Sequence, residues 1–256
     1  MKKILCLLLI LLFSGIQADA SNIKFVQVDN LRFSENSEDS IQNLKTIIND
    51  INNQKDISFV IFTGNNIAKS EKNNLKKFLK TSKKLEAPFY VALGHKDLNQ
   101  KKGLSKKAYI DIVKKTANRS VNSPNYVFVK KGVVFIVADG AKEVIPTPFG
   151  YYRDAVISWV DREIRKYPDK NIVILQHFPI YPPNENEAYR TFKADEYMKM
   201  LENHKNVKAV ISGFGINSEN DVDGIKHITT ASYPAYRIIE IIDCDTPNPT
   251  IWSTLK

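Results

Sequence analysis

The sequence predicts an α/β domain, in which short buried strands alternate with amphipathic helices. Apolar, β-branched runs bounded by turn residues indicate strands over residues 23–28, 57–63, 89–93, 126–129, 133–138, 172–176 and 207–211. Apolar side chains recur at helical spacing between several of these runs: at Ile41, Leu44, Ile48 and Ile51; at Leu75, Phe78 and Leu79; and at Ile157, Val160 and Ile164. The last third differs, because residues 224–230, 236–242 and 250–254 indicate successive strands without helices. We expect antiparallel pairing there.

The first twenty residues have the pattern of a secretory signal peptide. Two lysines precede an apolar run, and Ala18-Asp19-Ala20 forms a small-x-small cleavage site. The apolar run is shorter than the roughly 18 residues that a membrane-spanning helix requires. We therefore expect residues 1–20 to be a signal peptide and residues 21–256 to form one domain. The protein is expected to be secreted or periplasmic, with no stable membrane anchor after cleavage.

Cleavage at this position determines the disulfide content and the charge of the mature chain. Of the two cysteines, Cys6 leaves with the peptide, so Cys244 has no partner for an internal disulfide. The formal net charge of +9 becomes +8 on loss of Lys2, Lys3 and Asp19, which favours anionic partners in general. Much of the excess lies in lysine pairs within helical stretches, without interleaved aromatic residues. We interpret these pairs as solvated helix faces and expect no specific nucleic-acid binding.

Polar or glycine-containing loops follow five of the predicted strands directly. Ligands in open α/β sheets bind outside the carboxyl ends of the strands, so these loops are the candidate functional segments. In chain order they read Val28-Asp29-Asn30-Leu31-Arg32, Thr63-Gly64-Asn65-Asn66, Leu93-Gly94-His95-Lys96-Asp97, Gln176-His177-Phe178-Pro179 and Ser212-Gly213-Phe214-Gly215.

The order and spacing of these loops resemble the calcineurin-like metallophosphoesterases, and in particular an exported, purple-acid-phosphatase-like branch of that family. The family pattern is D-x-H, G-D-x, G-N-H-[DE], a lone His and G-H-x-H, each directly after a strand. The resemblance covers nearly the whole chain after residue 20. It implies a four-layer αββα sandwich made of two mixed sheets faced by helices. It also implies hydrolysis of phosphomonoesters or phosphodiesters by two divalent ions of Mn, Fe or Zn.

Carried over position by position, the resemblance implies that most metal ligands are replaced. The first Asp corresponds to Asn30, its partner His to Arg32, and the bridging Asp to Asn65. An arginine has no lone pair for a metal, and an asparagine offers a neutral carbonyl without charge. A shift of one residue would bring Asp29 to the first position, but it would turn the side chain to the other face of the strand.

The remaining motifs are altered in the same way. His95 corresponds to the ligand Asn and Lys96 to the following His, which in the family assists the leaving group. His177 matches the lone His ligand. In the last loop, Phe214 and Gly215 stand where the two final histidines are expected.

Two function classes follow from these replacements. In the first, the protein is a degenerate, catalytically inactive or impaired family member that needs no cofactor. A pocket with Arg32 and Lys96 then binds a small phosphate-containing or other anionic ligand through charge-assisted hydrogen bonds. In the alternative, the protein is a working phosphoester hydrolase. It would use one divalent ion of Mn, Fe or Zn held by Asn65, His95 and His177.

Overall fold

The computed structural model describes residues 21–184 and 191–256, so the predicted signal peptide lies outside the described residues. The first sheet has five strands in the order β11-β10-β1-β2-β3. Its strands are β1 (Ile23–Val28), β2 (Ile57–Phe62), β3 (Phe89–Val91), β10 (Arg237–Ile242) and β11 (Thr250–Leu255). Strands β1, β2 and β3 are parallel, whereas β10 and β11 are each antiparallel to their neighbours.

The second sheet has six strands in the order β4-β5-β6-β7-β9-β8. Its strands are β4 (Tyr126–Lys130), β5 (Val133–Ala138), β6 (Ile172–Gln176), β7 (Val207–Gly215), β8 (Ser218–Val222) and β9 (Ile225–Ala231). Strands β5, β6, β7 and β9 are parallel, and β4 and β8 run antiparallel at the two edges.

Within residues 21–184 and 191–256, five helices connect and cover the strands. They are α1 (Glu38–Asn52), α2 (Lys72–Ser82), α3 (Lys106–Thr116), α4 (Asp154–Arg165) and α5 (Ala194–Glu202). The apolar stripes that predicted helices are the buried faces of α1, α2 and α4, although Ile41 is only partly buried. Side-chain oxygens of Ser37 and Ser105 cap the first turns of α1 and α3, which sets where those helices begin.

The two sheets face each other through an aromatic core. The ring of Phe25 in β1 stacks on Phe59 in β2 at 4.6 Å, and both contact Phe135 in β5. Phe128 in β4 joins the same group. Burial of these rings and of the β-branched residues around them supplies most of the apolar stabilisation. The predicted α/β class with two mixed sheets is confirmed.

The carboxyl-terminal third follows the expected antiparallel pairing in part. Strand β9 joins the second sheet, where it lies parallel to β7 and antiparallel to β8, whereas β10 and β11 form an antiparallel pair in the first sheet. The chain crosses from one sheet to the other between β9 and β10. β9 does not pair with the strands that follow it because the direction of a strand depends on the neighbouring strand in its sheet. The periodicity of apolar residues does not specify that neighbour.

Candidate functional site

The five predicted loops meet at the carboxyl edge of the parallel strands. The loop after β1 is hydrogen-bonded to the loop after β2: Asn30 N lies 3.1 Å from Gly64 O, and Arg32 N lies 2.8 Å from Asn65 O. The loop after β3 packs equally closely, because a Cβ atom on Gly94 would lie 2.2 Å from Asn65 N. Glycine is therefore required at position 94 for this close approach.

Asn30, Arg32 and Asn65 form one hydrogen-bonded cluster. Arg32 Nε donates to Asn30 Oδ1 at 2.8 Å, and Asn65 Nδ2 donates to the same oxygen at 3.2 Å. The other end of the Asn30 amide donates to Ser232 Oγ at 2.6 Å. The Asn30 carbonyl oxygen thus accepts two hydrogen bonds, one of them from a permanent cation.

Lys96 and Asp97 complete the loop after β3. Lys96 N donates to Asn65 Oδ1 at 2.9 Å, so the side-chain oxygens of both Asn30 and Asn65 accept hydrogen bonds. Asp97 is buried, and its carboxylate accepts from Ile67 N at 3.0 Å and Gly94 N at 2.9 Å. Burial raises the pKa of Asp97 to about 6, against the lowering effect of these donors. Asp97 therefore has a structural role in holding the loop.

His177 is buried between the two sheets beside Thr63 and Asp29. Its Nδ1 atom lies 2.7 Å from Thr63 O and 3.7 Å from Asp29 Oδ1. Because a carbonyl oxygen only accepts, Nδ1 carries a proton and donates it to Thr63 O. Nε2 is buried and has no hydrogen-bond partner among the described residues.

Asp29 contributes a buried carboxylate outside the Asn30 cluster. Its oxygens accept from Thr63 Oγ1 at 3.0 Å and Gly215 N at 2.8 Å. Burial raises its pKa, and the neighbouring His177 acts in the opposite direction. Sequence reasoning treated Asp29 as a possible register shift or as an assisting residue at a single metal ion, and it missed this contact.

His95 places a second imidazole near the first. The ring centroids of His95 and His177 are 5.9 Å apart. The His95 Nδ1 atom is buried and also has no partner in the part of the chain that the structure describes. Burial is the main cause that lowers the pKa of His95 to about 4, and electrostatic repulsion from the neighbouring His177, Lys96 and Arg32 side chains acts in the same direction. The ring is neutral at neutral pH.

The last loop closes the site with a phenyl ring where the family has an imidazole. The ring of Phe214 lies 5.7 Å from His177 and 5.7 Å from Phe178. The segment predicted as a loop after β7 is the end of β7 itself, and the pairing of β7 with β9 shifts register between Ser212 and Gly215, so Phe214 lies in an irregular part of the strand. Gly215 has a φ of 78° and a backbone N–H directed to Asp29.

Left-handed backbone conformations concentrate in these loops. Asn30, Arg32, Asn65 and Phe214 have φ values of 54°, 50°, 49° and 86°. Each such residue costs on the order of 1–3 kcal/mol, and strain of this kind is characteristic of ligand-binding and catalytic segments. This strain is a second reason to take the loops as the candidate site.

The donor set differs from that of a two-metal centre. Two dications close together require a bridging carboxylate, and Asn65 supplies only a neutral amide at the expected position. Among residues 21–184 and 191–256, no group of three His, Cys, Asp or Glu side chains is arranged to hold a metal ion. Two buried ring nitrogens of the site, His95 Nδ1 and His177 Nε2, have no hydrogen-bond partner among the described residues.

A separate groove of about 1020 Å³ lies at the opposite edge of the second sheet. Gly132, Asn171 and Asn206, which precede β5, β6 and β7, are among the residues that line it. It is therefore at the amino ends of the strands and contains none of the five loops. We take the loop cluster as the candidate site, because parallel sheets present their ligand sites at the carboxyl ends.

Comparison with known proteins agrees with this geometry. Residues 11–213 match the family model of the calcineurin-like phosphoesterases. The chain belongs to the calcineurin-like phosphoesterase family. The match ends at Gly213, so Phe214 and Gly215 lie outside the matched segment. No curated protein matches the sequence.

Solved structures of calcineurin-like phosphoesterase fold resemble the whole domain. A dimetal phosphatase from Danio rerio has a TM-score of 0.69 at 12% identity, with 91% of this chain and 99% of that chain covered. The TT1561 protein of Thermus thermophilus has a TM-score of 0.62 at 10% identity, covering 90% and 98%. GAP50, the anchor in the inner membrane complex of Plasmodium, has a TM-score of 0.58 at 15% identity, covering 91% and 88%. At these identities the similarity establishes the fold alone.

Proposed function

We propose that this protein is a degenerate family member in which a cationic pocket replaces the dinuclear metal centre. The proposed pocket binds a phosphate-like anion and has lost most or all hydrolytic activity. The observation that carries the proposal is the contact between Arg32 Nε and Asn30 Oδ1 at 2.8 Å. A guanidinium here supplies fixed positive charge next to an oxygen that would otherwise face a metal.

The charges around the pocket favour an anion. Arg32 is exposed and Lys96 is partly buried, so a ligand reaches the guanidinium from solvent. The Asp29 carboxylate is directed to Thr63 and Gly215, and it does not contact the Arg32 side chain. A phosphate accepts paired hydrogen bonds from a guanidinium fork, and such charge-assisted bonds are about twice as strong as neutral ones.

One observation favours the alternative, a hydrolase with a single metal ion. His95 Nδ1 and His177 Nε2 are buried nitrogen atoms without partners among the described residues, and an unprotonated imidazole nitrogen is a ligand for Mn, Fe or Zn. In this alternative the two imidazoles hold the ion with help from Asn65. A bound divalent ion polarises a phosphoryl oxygen and lowers the pKa of its water. The lack of a carboxylate ligand makes this the second candidate.

Export remains part of the proposal. The pattern of residues 1–20 supports cleavage before Ser21. No helix in the described portion of the chain is long and apolar enough to cross a membrane. Expression of the full chain in a bacterial host, followed by mass spectrometry of the periplasmic fraction, is expected to yield a polypeptide that begins at Ser21. An uncleaved cytoplasmic product contradicts export.

Metal content and anion affinity test the proposed function together. The chain from Ser21 is dialysed against Mn²⁺ and Zn²⁺ without chelator, and its metal is measured by elemental mass spectrometry. We expect no stoichiometric metal, and we expect calorimetric titration to detect inorganic phosphate binding that is lost in Arg32→Ala. The matched control is Arg162→Ala, which removes an exposed arginine from α4 and is expected to leave phosphate affinity unchanged.

Three results distinguish the candidates. About two metal equivalents per chain overturn the degenerate-site proposal. About one equivalent, lost in His177→Ala, together with metal-dependent hydrolysis of a phosphoester, supports the single-metal hydrolase. Absence of both metal and phosphate affinity contradicts both candidates.

A further inference from the structure

The positive charge of the protein is concentrated in one segment of the chain. Residues 69–115 contain 14 lysines, no arginine and 4 acidic residues, which gives this segment a formal net charge of +10. The chain from Ser21 onward has a net charge of +8, so its other residues together carry −2. The basic character of the mature chain therefore comes entirely from this segment, which contains α2, β3 and α3.

The fold places the lysines of α2 on one side of the helix. The apolar stripe at Leu75, Phe78 and Leu79 is the buried side. The opposite, exposed side carries all of the lysines of the helix and of the two positions that follow it: Lys72, Lys76, Lys77, Lys80, Lys83 and Lys84. The division follows from the helical period, because residues three and four apart lie on the same side. α2 thus presents a cationic side to solvent.

Lysines of the neighbouring elements extend this surface. α3 packs beside α2 and exposes three lysines, and the loop before α3 exposes two more. This loop is fixed to the start of α2, because Leu104 N donates to Ser70 Oγ at 2.9 Å and Ser70 Oγ donates to Asp97 O at 3.0 Å. We define the lysine face as the 11 exposed lysines of residues 72–84 and 101–115.

The stability of the fold does not explain the lysine face. Like charges four residues apart on a helix repel, as at Lys72, Lys76 and Lys80. A cation at the amino end of a helix also opposes the helix dipole, and the first turn of α2 has Lys72 and no acidic residue. Among residues 21–184 and 191–256, the one lysine of the face that forms an ion pair is Lys107, with Asp111 at 2.6 Å. The remaining charges are uncompensated in the folded chain, which favours a role in binding.

The residue types of the lysine face favour an extended negative surface as the partner. A lysine ammonium is a point charge without the planar fork with which arginine grips a single phosphate. The large exposed apolar side chains of the described residues all lie outside residues 69–115, so the face has no aromatic platform for nucleobases and no apolar anchor for a bilayer interior. The groove of about 1020 Å³ is lined by other residues. Two adjacent helices therefore present a broad field of charge.

We propose that the lysine face binds reversibly to the surface of anionic lipid membranes, through the phosphate groups of the lipids. Basic residues near an anionic bilayer are each attracted to it, and the attraction decays within a Debye length. Lysines spread over two adjacent helices match the many closely spaced charges of such a surface. The inference goes beyond the proposed function and does not depend on it, because Arg32 and Lys96 are not part of the face.

Vesicle flotation of the chain from Ser21 tests the inference. We expect the protein to float with vesicles that contain phosphatidylglycerol and phosphatidylcholine, and to stay behind with vesicles of phosphatidylcholine alone. Raising the salt concentration from about 50 mM to about 500 mM is expected to release it, because salt screens exposed charges. Equal binding to the two kinds of vesicle, or binding that persists at the higher salt concentration, overturns the inference.

Two variants with the same change in net charge locate the binding surface. The first carries Lys→Gln at four exposed positions of α2 and its carboxyl end, Lys72, Lys76, Lys80 and Lys83. We expect it to bind anionic vesicles at least about thirtyfold more weakly, since each lysine near the surface contributes to the attraction. Its resistance to urea is expected to be no lower than that of the wild type, because the substitutions remove repulsion between like charges.

The matched control carries Lys→Gln at four exposed lysines outside the face, Lys170, Lys199, Lys205 and Lys256. It loses the same total charge, and we expect its affinity for anionic vesicles to fall by less than about threefold. Equal losses in the two variants would show that binding follows net charge alone and would overturn the lysine face.

Competition and phosphate titration complete the test. Duplex DNA is added to protein bound to anionic vesicles, at an equal concentration of phosphate groups, and we expect the protein to remain on the vesicles. Displacement by the DNA would assign the face to nucleic acid and overturn the inference. Calorimetric titration with inorganic phosphate separates this inference from the proposed function. Phosphate binding without vesicle binding overturns the lysine face alone, whereas vesicle binding that depends on the face supports it even where phosphate does not bind.

Discussion

The Nδ1 atom of His177 lies 2.7 Å from the backbone oxygen of Thr63, and this contact joins the two sheets at the candidate site. Thr63 follows β2 of the first sheet, and His177 follows β6 of the second. The hydrogen bond fixes the tautomer of the imidazole. It also holds the ring in place independently of any metal, which explains how the site geometry persists with an altered donor set.

Substitutions of His177 test this structural role. An asparagine places Nδ2–H close to the position of Nδ1–H, whereas a phenylalanine fills the space without a donor. We expect His177→Phe to lower the free energy of unfolding by about 1–3 kcal/mol more than His177→Asn, because it leaves a buried carbonyl unpaired. Urea unfolding measures the difference. Equal losses in the two variants would mean that the Thr63 contact contributes no stability.

Restoring the family ligands is expected to restore metal binding. The variant Asn30→Asp, Arg32→His, Asn65→Asp supplies two carboxylates and one imidazole and removes the guanidinium from Asn30 Oδ1. We expect it to retain about one more equivalent of Mn²⁺ than the wild type after dialysis, since carboxylates neutralise the ion. Elemental mass spectrometry gives the result, with Arg32→His alone as the control. Wild-type metal content in the triple variant would assign the loss to Phe214 and Gly215 instead.

Most strands were predictable because a buried strand requires a run of apolar, often β-branched residues, and such runs are visible in the sequence. Strands β1, β5 and β6 have the bounds that their apolar runs predicted, and the helix stripe at Ile157, Val160 and Ile164 is the buried face of α4. Strand β8 was not predicted, because Ser-Glu-Asn-Asp-Val is a polar edge segment with no apolar run. Edge strands are stabilised by pairing with a neighbour, which sequence periodicity does not reveal.

The site was predictable in outline and unpredictable in detail. Five motifs in order located the loops, and the structure brings Asn30, Arg32 and Asn65 together as the resemblance implied. The contact of Asn30 with Ser232 was not predictable, because Ser232 follows β9 and belongs to no motif. Contacts between residues 202 positions apart depend on how the two sheets pack.

The buried carboxyl group of Asp97 is expected to make stability depend on pH. Its pKa is raised by burial from an ordinary value of 3.8 to about 6, so the folded state binds this proton more tightly than the unfolded state does. The stabilising contribution is complete below pH 4 and is lost as the pH rises through 6, a change of about 3 kcal/mol. Asp97→Asn imitates the neutral form. Compared with the wild type, Asp97→Asn is therefore expected to have a free energy of unfolding that is about 3 kcal/mol more favourable at pH 7 than at pH 4. A pH-independent difference would show that the surrounding N–H donors keep Asp97 ionised.

The titration of His95 reports directly on the charge of the pocket. Burial is the main reason that the pKa of His95 lies at about 4, and electrostatic repulsion from the neighbouring His177, Lys96 and Arg32 side chains lowers it further. Removal of one charge in Arg32→Ala is therefore expected to raise the pKa of His95 by less than about one unit. In the wild type, saturation with phosphate is also expected to raise this pKa, because the bound anion neutralises the positive potential of Arg32 and Lys96. Imidazole NMR resonances followed from pH 3 to pH 8 measure both changes. His227, whose pKa is also lowered to about 4 by burial but which lies on β9, is the internal control and is expected to remain constant. If phosphate leaves the His95 titration unchanged, the anion does not bind beside Arg32 and Lys96.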